Sequence, residues 1–210
     1  MKKDELKLII SISVALSATF AFAYLFIANI SLELTNVFRA LSSGLSFTTI
    51  FWVFYFSYGW KIPILKEIFY RPNINGTWSG TLESDWKDEL GNGISPKEFH
   101  IVIRQSFLRI HFTTLTDEFI GISYSETFTL EKEQGVKNIA YLFRKDTTQN
   151  HYDTTQEGAT ELKLIEGRQM LLQGKYWSNR KTNGNIAVKH ISKKHVDSFD
   201  QAIELKNNGK

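Results

Sequence analysis

Two long apolar runs occupy the start of the chain, at residues 8–32 and 40–60, and neither contains a charged side chain. As α-helices of 25 and 21 residues they would be about 37 and 31 Å long, against a hydrocarbon core of about 30 Å. Only residues 33–39 separate them, and Glu33 and Arg39 are the only charges in the whole stretch. The pattern predicts a hairpin of two transmembrane helices at residues 8–60.

Basic residues lie on the terminal sides of this hairpin, whereas its connection has Arg39 alone. They are Lys2, Lys3 and Lys7 before it, and Lys61, Lys66 and Arg71 after it. Because excess Lys and Arg stay on the cytoplasmic side, we expect a cytosolic tail at residues 1–7 and a cytosolic C-terminus. A cleaved signal peptide ending near Ala23 is the alternative, but apolar sequence continues through residues 24–32.

Small residues recur every four positions along both apolar runs. They include Ser13, Ser17 and Ala21 in the first, and Ala40 and Gly44 in the second. Such spacing lets two helix backbones approach closely in lipid. We predict that these faces pack the two helices of one hairpin together; the alternative is that some of them join hairpins of different chains.

The period of the pattern changes from helical to two at residue 75. Eight short segments of alternating apolar residues follow, separated by turn signals such as Gly91-Asn92-Gly93 and Asn183-Gly184. Such a series predicts an antiparallel barrel or sandwich, and eight strands favour a small, lipocalin-like β-barrel at residues 74–196. Residues 61–73 are predicted as a juxtamembrane linker, residues 146–158 as a polar loop, and residues 197–210 as a polar tail that frays or forms a loose helix.

Composition excludes several classes of function. The chain has no cysteine, so disulfides, thiolate catalysis and Cys-ligated zinc are ruled out. From residue 61 onward 21 basic residues face 19 acidic ones, which does not indicate DNA or RNA binding. We find no enzyme motif and no metal-ligand spacing, and we predict no cofactor; His100 and His111 are predicted as ordinary surface residues on strands.

Polar residues at inward positions near strand ends predict a ligand at one mouth of the barrel. They are Gln105, Thr114, Tyr141, Tyr176, Ser178 and His190. Ser123 and Ser125 form a further polar strip with Gly121, whose orientation the pattern leaves open. Arg144 and Arg180 lie at strand ends, where guanidinium groups suit phosphates, and tyrosine rings suit stacked bases.

The motifs together resemble the two-helix, β-barrel effectors of bacterial CBASS anti-phage systems. After the hairpin they are Gly76-Thr77-Trp78-Ser79-Gly80, Ser123-x-Ser125, Gly174-Lys175-Tyr176-Trp177-Ser178-Asn179-Arg180, and Gly184 before a last strand. The match extends from residue 8 to about residue 191. Gln156-Glu157-Gly158 departs from the family pattern, in which a histidine is expected shortly before the glycine.

The resemblance implies an inner-membrane protein encoded beside a cyclic-nucleotide synthase. Its barrel would bind a cyclic oligonucleotide, most simply a cyclic dinucleotide, and the effector would then form homo-oligomers and disrupt the lipid bilayer, which kills the infected cell. Gly174, Tyr176 and Arg180 are the positions that correspond to the family's seventh-strand motif.

Two other functions fit the same pattern. A membrane-tethered, lipocalin-like carrier of an apolar ligand would explain Gly76 and Trp78, since lipocalins begin with a similar motif whose tryptophan plugs the barrel base. That function requires an interior lined almost wholly by apolar residues. A protein-interaction module would instead show an exposed apolar patch or a free strand edge.

Overall fold

The computed structural model describes residues 3–27, 29, 31, 33–87, 90–131, 135–147 and 156–208. The chain divides into two compact units, Met1–Arg71 and Pro72–Lys210. Helices dominate the first unit and strands the second. The predicted fold class, an apolar two-helix hairpin followed by an eight-stranded antiparallel barrel, is confirmed.

The hairpin consists of α1 (Lys3–Ile27) and α2 (Leu34–Ser57), each long and apolar enough to span a membrane. Both helices begin before the apolar runs do. Residues 3–7, predicted as part of a tail, are therefore helical, and Arg39, predicted in the connection, lies within α2. Charge marks where a helix leaves the hydrocarbon, whereas backbone hydrogen bonding continues beyond that point.

Small and hydroxyl residues pack α1 against α2. A Cβ atom on Gly44 would collide with the carbonyl oxygen of Ser17, so the two backbones are nearly in contact there. The Ser17 and Thr48 hydroxyls lie 2.9 Å apart, and the Trp52 indole donates a 2.8 Å hydrogen bond to the Ser13 hydroxyl. These positions of the predicted small-residue faces thus join the two helices of one hairpin.

The segment after α2 folds back within the first unit as two short 3₁₀ turns, Gly59–Lys61 and Leu65–Glu67. Phe69 is 5% exposed, and its ring centroid lies 6.3 Å from that of Trp52 and 5.9 Å from that of Tyr55. Aromatic residues near the end of α2 therefore hold the predicted linker onto the helix from which it emerges.

Eight strands form a closed meander in which each pairs antiparallel with its neighbours and the last pairs with the first. They are β1 (Gly76–Ser84), β2 (Lys97–Gln105), β3 (Ile110–Leu115), β4 (Phe119–Glu131), β5 (Val136–Thr147), β6 (Gln156–Ile165), β7 (Leu171–Ser178) and β8 (Asn183–Ser192). β5 and β6 take up both ends of the predicted loop 146–158, of which residues 148–155 lie outside the described ranges.

The barrel is closed at the end where β1 begins. Trp78 is fully buried there, and its indole donates a 2.9 Å hydrogen bond to the carbonyl oxygen of Ile74. Gln105 and His190, which the pattern placed with the ligand-binding ends, lie at this closed end. The Gln105 amide accepts from the Ile74 amide and donates to Pro72, while the His190 ring packs edge-on to Trp78 at 5.2 Å.

Glycines of the family motifs let neighbouring strands approach closely. A Cβ atom on Gly80 would overlap the carbonyl oxygen of Ala187, one on Gly174 that of Glu161, and one on Gly184 that of Glu83. Strands this close can coil tightly around a small interior. Gly174, which the resemblance associated with the ligand motif, thus has a structural reason to be glycine.

The tail forms a helix, α3 (Phe199–Asn208), which is the second of the two predicted alternatives, but the helix is packed and not loose. Its Ala202 is fully buried in a cluster with Val102 and Leu115 on the outer face of the barrel. His100 is fully buried with its ring centroid 5.2 Å from that of Phe199. The prediction that His100 is a surface residue is therefore wrong, because α3 covers it; His111 is exposed as predicted.

Candidate ligand site at the open end of the barrel

The opposite end of the barrel holds the connections that follow β1, β3 and β7, and its inward side chains include polar ones beside the apolar Leu82, Phe99, Phe143 and Ile186. They surround a cavity of about 20 Å³, which is room for little more than one water molecule. We define the mouth as the inward polar residues Thr114, Tyr141, Lys145, Thr160 and Tyr176. Below them the core consists of apolar side chains such as Ile139, Leu162 and Leu172.

Lys145 is the cation of the mouth, and it continues the inward series Ile139, Tyr141 and Phe143 along β5. Its ammonium lies 4.6 Å from the Phe119 ring centroid and 5.8 Å from that of Phe143. Burial, reinforced by the positive charge of Arg180, lowers the pKa of Lys145 to about 8. The group is thus still largely protonated at neutral pH, and an anion that entered the mouth would stabilise its charged form.

Tyr141 supplies a buried hydroxyl whose polar neighbour is the Thr160 side chain, without a well-formed hydrogen bond among the described residues. Its ring stacks on Phe112, with centroids 4.4 Å apart and planes 7° apart. Burial raises the pKa of the Tyr141 phenol, and a polar interaction with the Thr160 side chain opposes this only partly. Because Phe112 occupies one ring face, the side chain is better suited to donate a hydrogen bond than to stack on a base.

Two threonines and a second tyrosine complete the mouth. Thr114 is 8% exposed and its hydroxyl donates a 3.4 Å hydrogen bond to the carbonyl oxygen of Gly121, where a Cβ atom would collide with that hydroxyl. Thr160 and Tyr176 are opposite one another on β6 and β7, and both are buried. The glycine in β4 thus leaves the space that the Thr114 hydroxyl occupies.

Ser178 and Arg180 lie at the end of β7 and in the turn that follows. The Ser178 hydroxyl is 2.7 Å from that of Thr182, which closes the turn, and Arg180 is exposed. Arg180 is close enough to Lys145 for their charges to repel, as the lowered pKa of Lys145 indicates. Lys145 inside the barrel and Arg180 at its rim therefore place two cations at this end, where the Lys97–Glu118 ion pair also lies close to Lys145.

The polar strip on β4 is split by a bulge between Ser123 and Ser125. Ser123 is 5% exposed; its hydroxyl accepts a 2.9 Å hydrogen bond from the Phe112 amide and donates one to Glu126. Ser125 is exposed, because the extra residue reverses the inward and outward positions beyond it. Ser123 has a structural role at the gap between β3 and β4, and Ser125 points away from the interior.

Arg144 also lies outside the mouth. It follows Phe143, which faces inward, and its guanidinium donates two hydrogen bonds, of 3.1 and 3.0 Å, to one carboxylate oxygen of Glu157 on the outer face. Of the eight residues predicted for the site, the structure brings together Thr114, Tyr141 and Tyr176, with Ser178 and Arg180 at the rim. Ser123, Ser125 and Arg144 are elsewhere.

Sequence reasoning missed Lys145 and Thr160. Both follow the period-two alternation of their strands: Lys145 is two residues after Phe143, and Thr160 two before Leu162. Extending the inward series through a charged residue would have found Lys145. The predicted loop at 146–158 obscured both, because it placed their strand ends in an irregular segment.

A larger concavity of about 720 Å³ lies on the outer surface of β6, β7, β8 and the end of β1. Its charged lining consists of Glu83, Asp85, Glu161, Lys163 and Lys175. Three carboxylates against two ammonium groups offer no net attraction to an anionic ligand. The mouth is therefore the better candidate for phosphates despite its smaller volume. Within the described ranges no three histidine or acidic side chains converge to hold a metal.

Comparison with protein families matches residues 69–190 to the family described as Cap15, cyclic dinucleotide receptor domain. The chain belongs to this family. The matched residues include all of β1 to β7 and hence the whole mouth. The Cap15 match confirms the resemblance to CBASS effectors that the sequence motifs indicated.

A curated relative is CD-NTase-associated protein 15 of Escherichia albertii. It is 29% identical to this chain over 150 residues, which cover 69% of this chain and 73% of that protein. The similarity thus extends over most of both chains, in agreement with membership of the Cap15 family.

Proposed function

We propose that this chain is a CBASS effector whose barrel binds a cyclic dinucleotide at the mouth. The observation that carries the proposal is the pair of cations, Lys145 inside the barrel and Arg180 at the rim, beside buried hydroxyl groups that can donate hydrogen bonds. A cyclic dinucleotide has two phosphodiesters and polar base edges, which this combination of charge and donors can recognise.

The size of the cavity determines how such a ligand is bound. About 20 Å³ cannot hold a nucleotide, so the ligand sits across the mouth, with its phosphates towards Lys145 and Arg180. Bases reach the interior only if mouth side chains move. Lys145, held over aromatic rings by contacts that break without disturbing the backbone, is the side chain most easily displaced.

The same cavity counts against a lipocalin-like carrier. The interior below the mouth is filled by Ile101, Phe112, Ile139, Leu162 and other buried apolar residues. An acyl chain has no space there, although the lining is as apolar as a carrier would need. The absence of space in the barrel interior, and not the polarity of its lining, therefore distinguishes a cyclic-dinucleotide receptor from a carrier.

The second part of the proposal concerns the membrane and is supported by the apolar two-helix hairpin. Both termini face the cytosol and the hairpin lies in the bacterial inner membrane, so a messenger made by a neighbouring cyclic-nucleotide synthase reaches the barrel directly. Ligand-bound barrels associate, which raises the local concentration of the attached hairpins. The gathered helices then disrupt the bilayer and kill the infected cell.

Binding is tested by a thermal-shift panel on the full chain in detergent micelles, with cyclic di-GMP, cyclic di-AMP, cyclic GMP-AMP and a fatty acid. A ligand at 100 times its dissociation constant stabilises the folded state by about 2.7 kcal/mol. We expect a shift with at least one cyclic dinucleotide, and its loss in Lys145→Gln and Arg180→Ala. Lys189→Gln, on the outer face of β8, is the matched control; a shift with the fatty acid alone would favour the carrier.

Membrane disruption is tested on liposomes loaded with a self-quenched dye. We expect dye release only when full-length protein and the cyclic dinucleotide are both present, and none with Lys145→Gln. A reporter enzyme fused after Lys210 tests the topology separately, because activity in the periplasm would contradict a cytosolic barrel.

A further inference from the structure

An apolar row crosses the outer face of the barrel. Leu142 on β5 is opposite Ala159 on β6, which is opposite Trp177 on β7, and Tyr124 lies at the β4 bulge beside Leu142. Tyr124, Leu142 and Trp177 are 53%, 41% and 47% exposed. We call Tyr124, Leu142, Ala159 and Trp177 the outer patch. A contiguous apolar row with two exposed aromatic rings is typical of an interaction surface.

The outer patch is flanked on each side by one charge of each sign, Glu161 with Lys175 on one side and Arg144 with Glu157 on the other. Arg144 and Glu157 are opposite one another on β5 and β6, two residues along from the patch. The Arg144 guanidinium also lies 5.9 Å from the Tyr124 ring centroid. The charges on each side cancel, so the flanks of the patch do not attract anionic lipid headgroups or nucleic acid.

We propose that the outer patch is the surface through which two copies of this chain associate, about a two-fold axis that runs between β5 and β6 and parallel to them. The inference rests on the proposed function, because it identifies the face that brings ligand-bound barrels together. The partner is a second copy because the face is complementary to itself under this one operation.

The strand register shows the complementarity. Rotation about this axis exchanges the positions of β5 with those of β6, and those of β4 with those of β7. Leu142 then faces Ala159 of the second copy, so a large side chain meets a small one. Tyr124 and Trp177 lie at the two edges of this contact, because the surface of the closed barrel curves away from the axis. Arg144 faces Glu157 in the same way, so the two intramolecular ion pairs, one in each copy, exchange for two intermolecular ones. An isologous interface requires this kind of match.

The closed barrel restricts how a second chain can associate with this unit. Each described strand pairs with both of its neighbours, although β3 and β4 pair over three residues only. Away from that gap a second chain cannot add to a strand edge and has to dock on a face. The outer patch also lies on the reverse side of the mouth. Lys145 and Tyr176 face inward next to Arg144 and Trp177, which face outward, so a ligand that orders these strand ends acts on both surfaces.

Cross-linking tests the proposal, because the chain has no cysteine and an introduced thiol is the only one present. Ala159→Cys places it beside the axis, and Ala187→Cys places it on the outer face of β8 as the matched control. Full-length protein in detergent micelles is treated with a short bis-maleimide, with and without the cyclic dinucleotide that binds in the thermal-shift panel. A monofunctional maleimide checks that both thiols are accessible.

We expect a covalent dimer for Ala159→Cys that increases severalfold on adding the ligand, and little dimer for Ala187→Cys. Equal yields from the two variants, or no ligand-dependent increase for Ala159→Cys, would overturn the proposal. Each variant is also measured for its ligand-induced thermal shift. Loss of that shift points to a failure of the proposed ligand site, whereas a retained shift without selective cross-linking rejects this interface alone.

Exchanging the charges of Arg144 and Glu157 tests the position of the proposed two-fold axis. In the Ala159→Cys background, Arg144→Glu and Glu157→Arg should each reduce the cross-linked dimer severalfold, since like charges then face each other in both pairs. Mixing the two variants should restore it, because each mixed dimer places two carboxylates on one copy opposite two guanidinium groups on the other. A mixture that cross-links no better than its components contradicts the two-fold arrangement.

Discussion

The Tyr141 ring lies face to face with the Phe112 ring, with centroids 4.4 Å apart, and this stack holds a buried hydroxyl at the mouth. A buried hydroxyl with incomplete hydrogen bonding contributes little to the stability of a fold or reduces it. Thr160 is the polar neighbour of the Tyr141 hydroxyl, and a ligand at the mouth would supply a further partner. Stability and binding therefore make opposite demands at this position.

Tyr141→Phe keeps the aromatic stack and removes the hydroxyl. We expect the variant to be as stable as the parent, or more stable by up to about 1 kcal/mol, and to bind the cyclic dinucleotide roughly tenfold more weakly, as for the loss of one good hydrogen bond. Thermal melts followed by tryptophan fluorescence and ligand titrations measure the two effects. A variant that loses stability and keeps its affinity would assign the hydroxyl to the fold.

Lys145 predicts a pH dependence of ligand binding. Its pKa is lowered to about 8, so the free protein loses this charge above pH 8, while an anionic ligand stabilises the charged form. Affinity should be constant from pH 6.5 to 7.5 and then fall by up to about tenfold per pH unit above 8. Lys145→Arg, which remains charged, should not show that fall; an equally steep fall in this variant would assign the effect to another group.

The lowered pKa of Lys145 has the opposite effect on the stability of the ligand-free protein, which it makes increase with pH. Between pH 8 and the ordinary lysine pKa of 10.5, the unfolded chain binds more protons at this position than the folded one. Stability therefore rises with pH across this window. Lys145→Met has no titrating group at this position. The difference in melting temperature between the parent and this variant should therefore change with pH between pH 8 and 10.5 and stay constant below pH 7.

Ser123 connects β3 to β4 where the strand pairing stops after three residues. Ser123→Ala leaves the Phe112 amide without its 2.9 Å acceptor and removes a donor to Glu126. We expect a loss of about 1–3 kcal/mol in the free energy of unfolding. Ser125→Ala, two residues along and exposed, is the control and should change it by less than about 0.5 kcal/mol. Equal effects of the two substitutions would contradict the role of the bulge.

The α1 and α2 helices should separate when Gly44 gains a side chain, because a Cβ atom there collides with the backbone of Ser17. Replacing Ser17 and Thr48, whose hydroxyls lie 2.9 Å apart, by cysteine should give a disulfide between the helices in membranes. Adding Gly44→Leu should abolish it, whereas Ala18→Leu, on an exposed face of α1, should not. A disulfide that forms equally well with Gly44→Leu would exclude this packing.

Sequence periodicity was enough for the two long helices and the eight strands, and for their order. Two uncharged runs of membrane-spanning length and eight alternating segments are local patterns, and each records the environment of its own strand or helix. The inward positions of Thr114, Tyr141 and Tyr176 follow from the same alternation. The family resemblance likewise depends on local motifs, such as the glycines at which neighbouring strands nearly touch.

Only the tertiary structure determined the orientation of side chains beyond a bulge and the burial of side chains by distant segments, because the alternation of apolar residues is a local pattern. The bulge at Ser123 reverses the phase of β4 and turns Ser125 outward, and no periodic rule marks where an extra residue is inserted. His100 is buried because α3, about a hundred residues later, covers it. Lys145 acquires its lowered pKa from burial and from Arg180, which a later strand brings near. Burial and charge proximity are properties of the assembled barrel, so only the folded chain determines them.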